Sequence, residues 1–162
     1  MVALGAGVVA SGGTLTMNVV GTLVAAGFDI ESNIAVASAI IWSNLASLFA
    51  FTVLVASAVA CRRRAETHKR LMLLASISII QPALARIARW PAVEELGVHF
   101  LVLAVGGSFL FVFALAAYDV ISRRGVHRAT LAGGTLFIGA KLLGIVVIAG
   151  SDAGRAIVRS LA

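Results

Sequence analysis

The chain has 162 residues, 60% of them hydrophobic and 12% charged, against roughly 45–50% and 25% in ordinary soluble domains. With a mean hydropathy of +1.05 and apolar runs about as long as a roughly 30 Å hydrocarbon layer requires, this composition excludes a soluble globular domain. It points to an all-α integral membrane helical bundle with about five transmembrane helices, forming a single domain. A net charge of +6 would suggest nucleic acid in a soluble protein, but here the basic residues sit in short turns between apolar runs. No nucleic-acid partner is therefore expected.

The first span, about residues 3–26, follows Met1 and Val2 without a basic flank, which reads as a spanning helix and not as a secretory signal peptide. Gly12, Gly13, Thr14, Thr16 and Asn18 make it the least apolar of the five and favour close helix contact. A chain that opens inside a span also suggests a start upstream of Met1.

After the acidic turn at 28–33, the second span covers about 34–60 and stops at Arg62, Arg63 and Arg64. The third, about 71–88, contains Gln81 and Pro82, where the missing backbone donor and the ring clash predict a kink near mid-membrane. Arg86, Arg89 and Trp90 read as its interfacial anchor. The fourth span covers about 98–118 and the fifth about 129–149, followed by a short amphipathic tail at 151–162 that Ser151 or Asp152 can cap. Eight of thirteen basic residues, Arg62, Arg63, Arg64, Lys69, Arg70, Arg123, Arg124 and Arg128, fall in two turns. That bias places both turns on the cytoplasmic side and the tail outside.

Glycines 106, 107, 133, 134, 139 and 144 lie within spans, where small residues permit tight helix crossings. Cys61 stands alone, so neither an intramolecular disulfide nor a cysteine-rich metal site is possible. No P-loop, GxSxG or dinucleotide-binding pattern occurs, and three histidines without His-x-x-x-His spacing make a zinc enzyme improbable. No catalytic or metal-ligating residue is assigned.

Depth arithmetic gives the first candidate site. Asn44, Gln81 and Ser108 each lie ten residues into their spans and Lys141 lies twelve into its own, which at about 1.5 Å per residue puts all four roughly 15–18 Å deep. If they converge, they form a polar belt around a lysine, a ligand-binding or transport candidate, because a charge at that depth is costly. A transporter or channel centred on Lys141 would have a water-filled cavity and lose flux on Lys141→Met. The competing and weightier reading is structural: Asn, Gln and Ser glue helices, and Lys141 can snorkel.

The second candidate is a pair of histidines. His68 opens span three and His127 precedes span five, both on the cytoplasmic side. Two such imidazoles are what a six-coordinate haem b requires, making a membrane electron carrier one alternative. Helix-end histidines that only meet lipid headgroups are the simpler reading. Arg62, Arg63, Arg64, Lys69 and Arg70 are candidates for anionic-lipid headgroups, at about 1 kcal/mol per charge.

The segments Arg62-Arg63-Arg64-x-x-x-His68-Lys69-Arg70-Leu71-Met72-Leu73-Leu74-Ala75, Pro82-Ala83-x-x-Arg86 and Val126-His127-x-Ala129-Thr130-x-x-Gly133-Gly134 resemble an uncharacterised family of small bacterial multi-pass membrane proteins. The resemblance covers about residues 45–155. It implies an inner-membrane location and a further helix before the first span, with a His-Arg-x-Leu-Gly turn, and it brings no activity. The expected function is non-enzymatic: an accessory subunit or a small-ligand-binding bundle, in contact with the lipid bilayer and its anionic lipids, in a homo-oligomer or a larger membrane complex.

Overall fold

The computed structural model describes residues 33–87, 90–95, 97 and 102–160, and among these every regular element is helical. The first span and His99 lie outside the described residues. Three helical stretches, Ile34–Ala60, Val102–Ser122 and Arg128–Ile148, are long and apolar enough to cross a membrane, or four if one bent pair counts as a single span.

Helix α1, Ile34–Ala60, coincides with the second predicted span. Its 27 residues carry no charge and rise about 40 Å, longer than a hydrocarbon layer, so crossing one would require tilt. Helix α2, Ala65–Ser78, starts six residues earlier than expected, with Glu66 in its first turn facing the positive end of the helix dipole. It is followed by α3, Gln81–Ile87, and the two are bent by 46°. The cause is Pro82: it cannot donate to the carbonyl of Ser78 and its ring would collide with that oxygen, so α2 ends there and α3 restarts. The backbone N–H groups of Ala83 and Leu84 both turn to Ile80 O, at 3.0 and 3.1 Å. Beyond the single turn Pro91–Glu94, a π-helical segment Val102–Gly106 leads into α4, Gly107–Arg123.

Span four was expected to end at Tyr118. It continues to Arg123 and carries Asp119 inside the helix, ending where Arg124 takes the left-handed conformation with φ 58°. Helix α5, Arg128–Leu142, runs on as a π-helical segment Leu143–Ile148, and the tail forms α6, Asp152–Arg159. As expected, Ser151 caps it: its hydroxyl accepts the Gly154 N–H at 3.0 Å and donates to Ile148 O at 2.7 Å.

The chain divides into two compact units, residues 1–52 with 139–162, and residues 53–138. In the first, Val158 of α6 packs with Ala37 and Ile41 of α1. The Trp42 indole N–H donates to Gly154 O at 3.3 Å. Gly144 lies against the Trp42 carbonyl and Ala46, a close approach that a side chain would block. In the second unit, α3 packs on the π-helical segment 102–106 and on α4, while α2 packs on α4. Gly133 faces Leu74 and Leu54, Gly134 faces Val112 and Gly107 faces Leu84. Among the described residues, nothing lies within 4 Å of where a Cβ at Gly106 or Gly139 would stand.

Beside an apolar core, several polar side chains are buried while many large apolar ones are exposed. Ser43, Ser47, Ser78, Ser108, Asp119 and Lys141 are buried, whereas Phe49, Leu73, Leu110, Phe113, Leu131 and Val146 are exposed. Such a surface suits hydrocarbon as solvent. Three of the inward serines satisfy their hydroxyls on their own helical stretches, Ser47 on Ser43 O, Ser78 on Ala75 O and Ser108 on Val105 O.

Candidate functional site

In the unit 53–138, Asp119 is 0% exposed and its carboxylate is heavily hydrogen-bonded. Its Oδ1 accepts from Arg70 Nε at 3.0 Å and from Arg70 Nη2 at 2.8 Å. Its Oδ2 accepts from the His127 backbone N–H at 3.2 Å and from the Thr130 hydroxyl. Arg70 uses its remaining Nη1 on Glu66, donating to Oε2 at 2.7 Å and to the backbone O at 3.2 Å. One carboxylate thus ties the start of α2, the end of α4 and the start of α5. A buried charge is tolerable when it is paired and fully hydrogen-bonded, and these four donors meet that requirement.

This knot corrects the headgroup expectation for Arg70. The side chain is 6% exposed and its guanidinium is spent on Asp119 and Glu66, so it is withdrawn from the membrane surface. Arg62, Arg63, Arg64 and Lys69 remain exposed, as headgroup contacts require.

Beside the knot lies an open cleft of about 790 Å³. Leu54 and Ser57 come from the last turns of α1, Arg64, Thr67 and Leu71 from the start of α2, and the rest from 125–136. Its charged and polar lining consists of Arg64, Arg128, His127, Ser57 and Thr67. No carboxylate lines it among the described residues. Neither Arg64 nor Arg128 forms an ion pair with a described residue.

The two histidines are held in opposite tautomers. His68 Nδ1 lies 2.8 Å from Ala58 O. A carbonyl accepts only, so Nδ1 carries the proton and Nε2 keeps the lone pair. His127 Nδ1 instead accepts the Ala129 backbone N–H at 3.1 Å, so in the neutral ring the proton is on Nε2. His68 therefore has the arrangement of a ligating imidazole, with its second nitrogen fixed on a carbonyl, and His127 has the reverse. His127 lines the cleft and His68 does not. Bis-histidine haem ligation through both Nε2 atoms would need His127 to give up its bond to Ala129. The expected spectrum of dithionite-reduced, detergent-purified protein therefore has no Soret band; a band abolished by His68→Ala and His127→Ala together would contradict this assignment.

Lys141 is 0% exposed and belongs to the other unit. Its ammonium donates to Ser43 Oγ at 2.9 Å and to Ser43 O at 3.2 Å, one residue before the expected partner Asn44. Asn44 itself is half-buried. Gln81 is buried in the unit 53–138 together with Ser108, whose hydroxyl donates to Val105 O of its own helix. Among the described residues, no group of three or more His, Cys, Asp or Glu side chains is placed to hold a metal ion.

Sequence reasoning missed the Asp119 knot and the cleft residues Ser57, Thr67 and Arg128. The signal was present as equal depth: Arg70, Asp119 and Thr130 all stand at the ends of their predicted spans that adjoin the two basic turns. Comparison with protein-family models, curated proteins and solved structures gives no match, so the functional reading rests on this geometry.

Proposed function

We propose that the chain is a non-enzymatic, five-span protein of a bacterial inner membrane, related to the multi-pass family that its His68-Lys69-Arg70-Leu71-Met72 turn resembles, and that it holds a small ligand in the cleft beside Asp119. The cleft carries this reading. Its volume of about 790 Å³ falls in the range of about 300–1,000 Å³ usual for small-molecule sites, with apolar walls and few polar groups. Its floor is also fixed, because the Asp119 knot joins three of the helix ends around it. That rigidity favours binding.

The five-span topology draws support from which helix ends meet. The start of α2 bonds to the end of α4 and the start of α5, as expected if the two basic turns share the cytoplasmic side. The α6 tail bonds to the first turns of α1, as expected if the acidic turn and the tail share the outer side.

Native mass spectrometry of the detergent-purified protein tests the reading. We expect a bound non-protein mass from the membrane, lost when the exposed cleft residue Ala132 is replaced by Trp, which fills the space without changing charge. A wild-type spectrum free of adducts, or adducts that persist in Ala132→Trp, would remove the cleft as a ligand site.

A further inference from the structure

We propose that the occupant of the cleft is a single anionic glycerophospholipid, its phosphate held between Arg64 and Arg128 and the first carbons of its chains laid on Val126, Ala132 and Leu136. This rests on the reading of the cleft as a ligand site and gives that ligand a chemical class.

Of the basic residues around the two turns, Arg70 is consumed by Asp119 and Glu66. Arg64 and Arg128 are exposed, line the same cleft from opposite turns and form no ion pair with a described residue. A planar guanidinium matches two oxygens of a phosphate, and two of them converging on one space select an anion over a neutral or cationic head.

The neutral polar groups of the cleft favour the same kind of head. With its Nδ1 occupied by the Ala129 N–H, the His127 ring offers a donor and no acceptor at Nε2. Thr67 and Ser57 add hydroxyls that can donate. An acceptor-rich head is what this set recognises.

The apolar walls distinguish an amphiphile from a free anion. A site for inorganic phosphate would be polar throughout. Here Val126, Ala132 and Leu136 line the cleft over the buried Leu54 and Leu71, and the arginines stand at the ends of the candidate spans. That is the depth at which a lipid phosphate sits above its chains, and the cytoplasmic leaflet supplies anionic lipid.

The test is native mass spectrometry of the full chain in detergent, titrated with phosphatidylglycerol, phosphatidylcholine or inorganic phosphate. Two double variants are compared, Arg64→Gln with Arg128→Gln, and Arg62→Gln with Arg63→Gln, which remove equal charge inside and beside the cleft. We expect one phosphatidylglycerol per chain, retained about tenfold better than phosphatidylcholine, weakened about tenfold by the cleft pair and little by the neighbouring pair. Equal losses in the two double variants would overturn the proposal, because the attraction would then belong to the basic surface as a whole. Equal retention of phosphatidylcholine, or inorganic phosphate binding as tightly as the lipid, would also overturn it, the latter leaving a free-phosphate site. If Ala132→Trp releases a mass that carries no phosphate, the lipid assignment falls while the ligand cleft stands. If Ala132→Trp releases nothing, the underlying reading falls as well.

Discussion

Asp119→Ala is expected to destabilise the detergent-solubilised protein by about 3–5 kcal/mol, the cost of leaving one member of a buried ion pair without its partner. The removed carboxylate accepts four hydrogen bonds. Without it Arg70 keeps only Glu66, which stands at the exposed rim and compensates weakly. The Thr130 hydroxyl and the His127 N–H lose their acceptor at the same time. Truncating both partners, Asp119→Leu with Arg70→Met, removes the orphaned charge and recovers much of the loss, since an apolar pair of similar volume can replace a buried ion pair. Reversible unfolding in mixed micelles reads the three variants. A single variant as stable as the parent, or a double variant no better than the single, would show that the knot is not what holds these helix ends.

How much of this was legible in the sequence depends on how local the cause is. The bounds of α1 match the prediction because an acidic turn, a charge-free run and three arginines stand in order along one segment. The kink between α2 and α3 was readable for the same reason: Pro82 acts on the carbonyl four residues before it. The end of α4 was not, because Asp119 looks like a loop residue until its partner is known. That partner is 49 residues earlier in the chain, and with it the carboxylate can stay inside the helix.

The candidate sites divide along the same line. Lys141 was recognised as a buried charge from its depth alone, but Ser43, 98 residues away, could not be chosen over Asn44 without the rotation of α1. His68 and His127 look equivalent as letters. Backbone neighbours ten residues before the first and two after the second fix opposite tautomers, and only the fold shows them. Equal depth was a usable signal for the knot, yet it identifies which groups share a layer, not which face one another.

The docking of the tail supplies the second large effect, which Gly154→Ala is expected to expose. A Cβ at this position would collide with the Ile148 carbonyl oxygen and stand 2.9 Å from its carbon. Those are backbone atoms at the end of the π-helical segment, so no rotamer change relieves the clash. Overpacking of this kind usually costs about 1–3 kcal/mol and sometimes more, and here α6 must move as a body. Moving it breaks the Ser151 cap, the Trp42 bond to Gly154 O and the burial of Val158 against Ala37 and Ile41 together. The loss should therefore be concentrated in the tail: faster amide exchange across 152–159 and a shifted Trp42 emission, with exchange across 65–78 unchanged. Val158→Ala serves as the milder comparison, since it weakens the same packing without forcing α6 away from Ile148. If Gly154→Ala leaves exchange in 152–159 at the parent rate, the tail is not seated on α1 as described. Protection lost equally in 65–78 would mean instead that the tail stabilises the whole chain and not only its own unit.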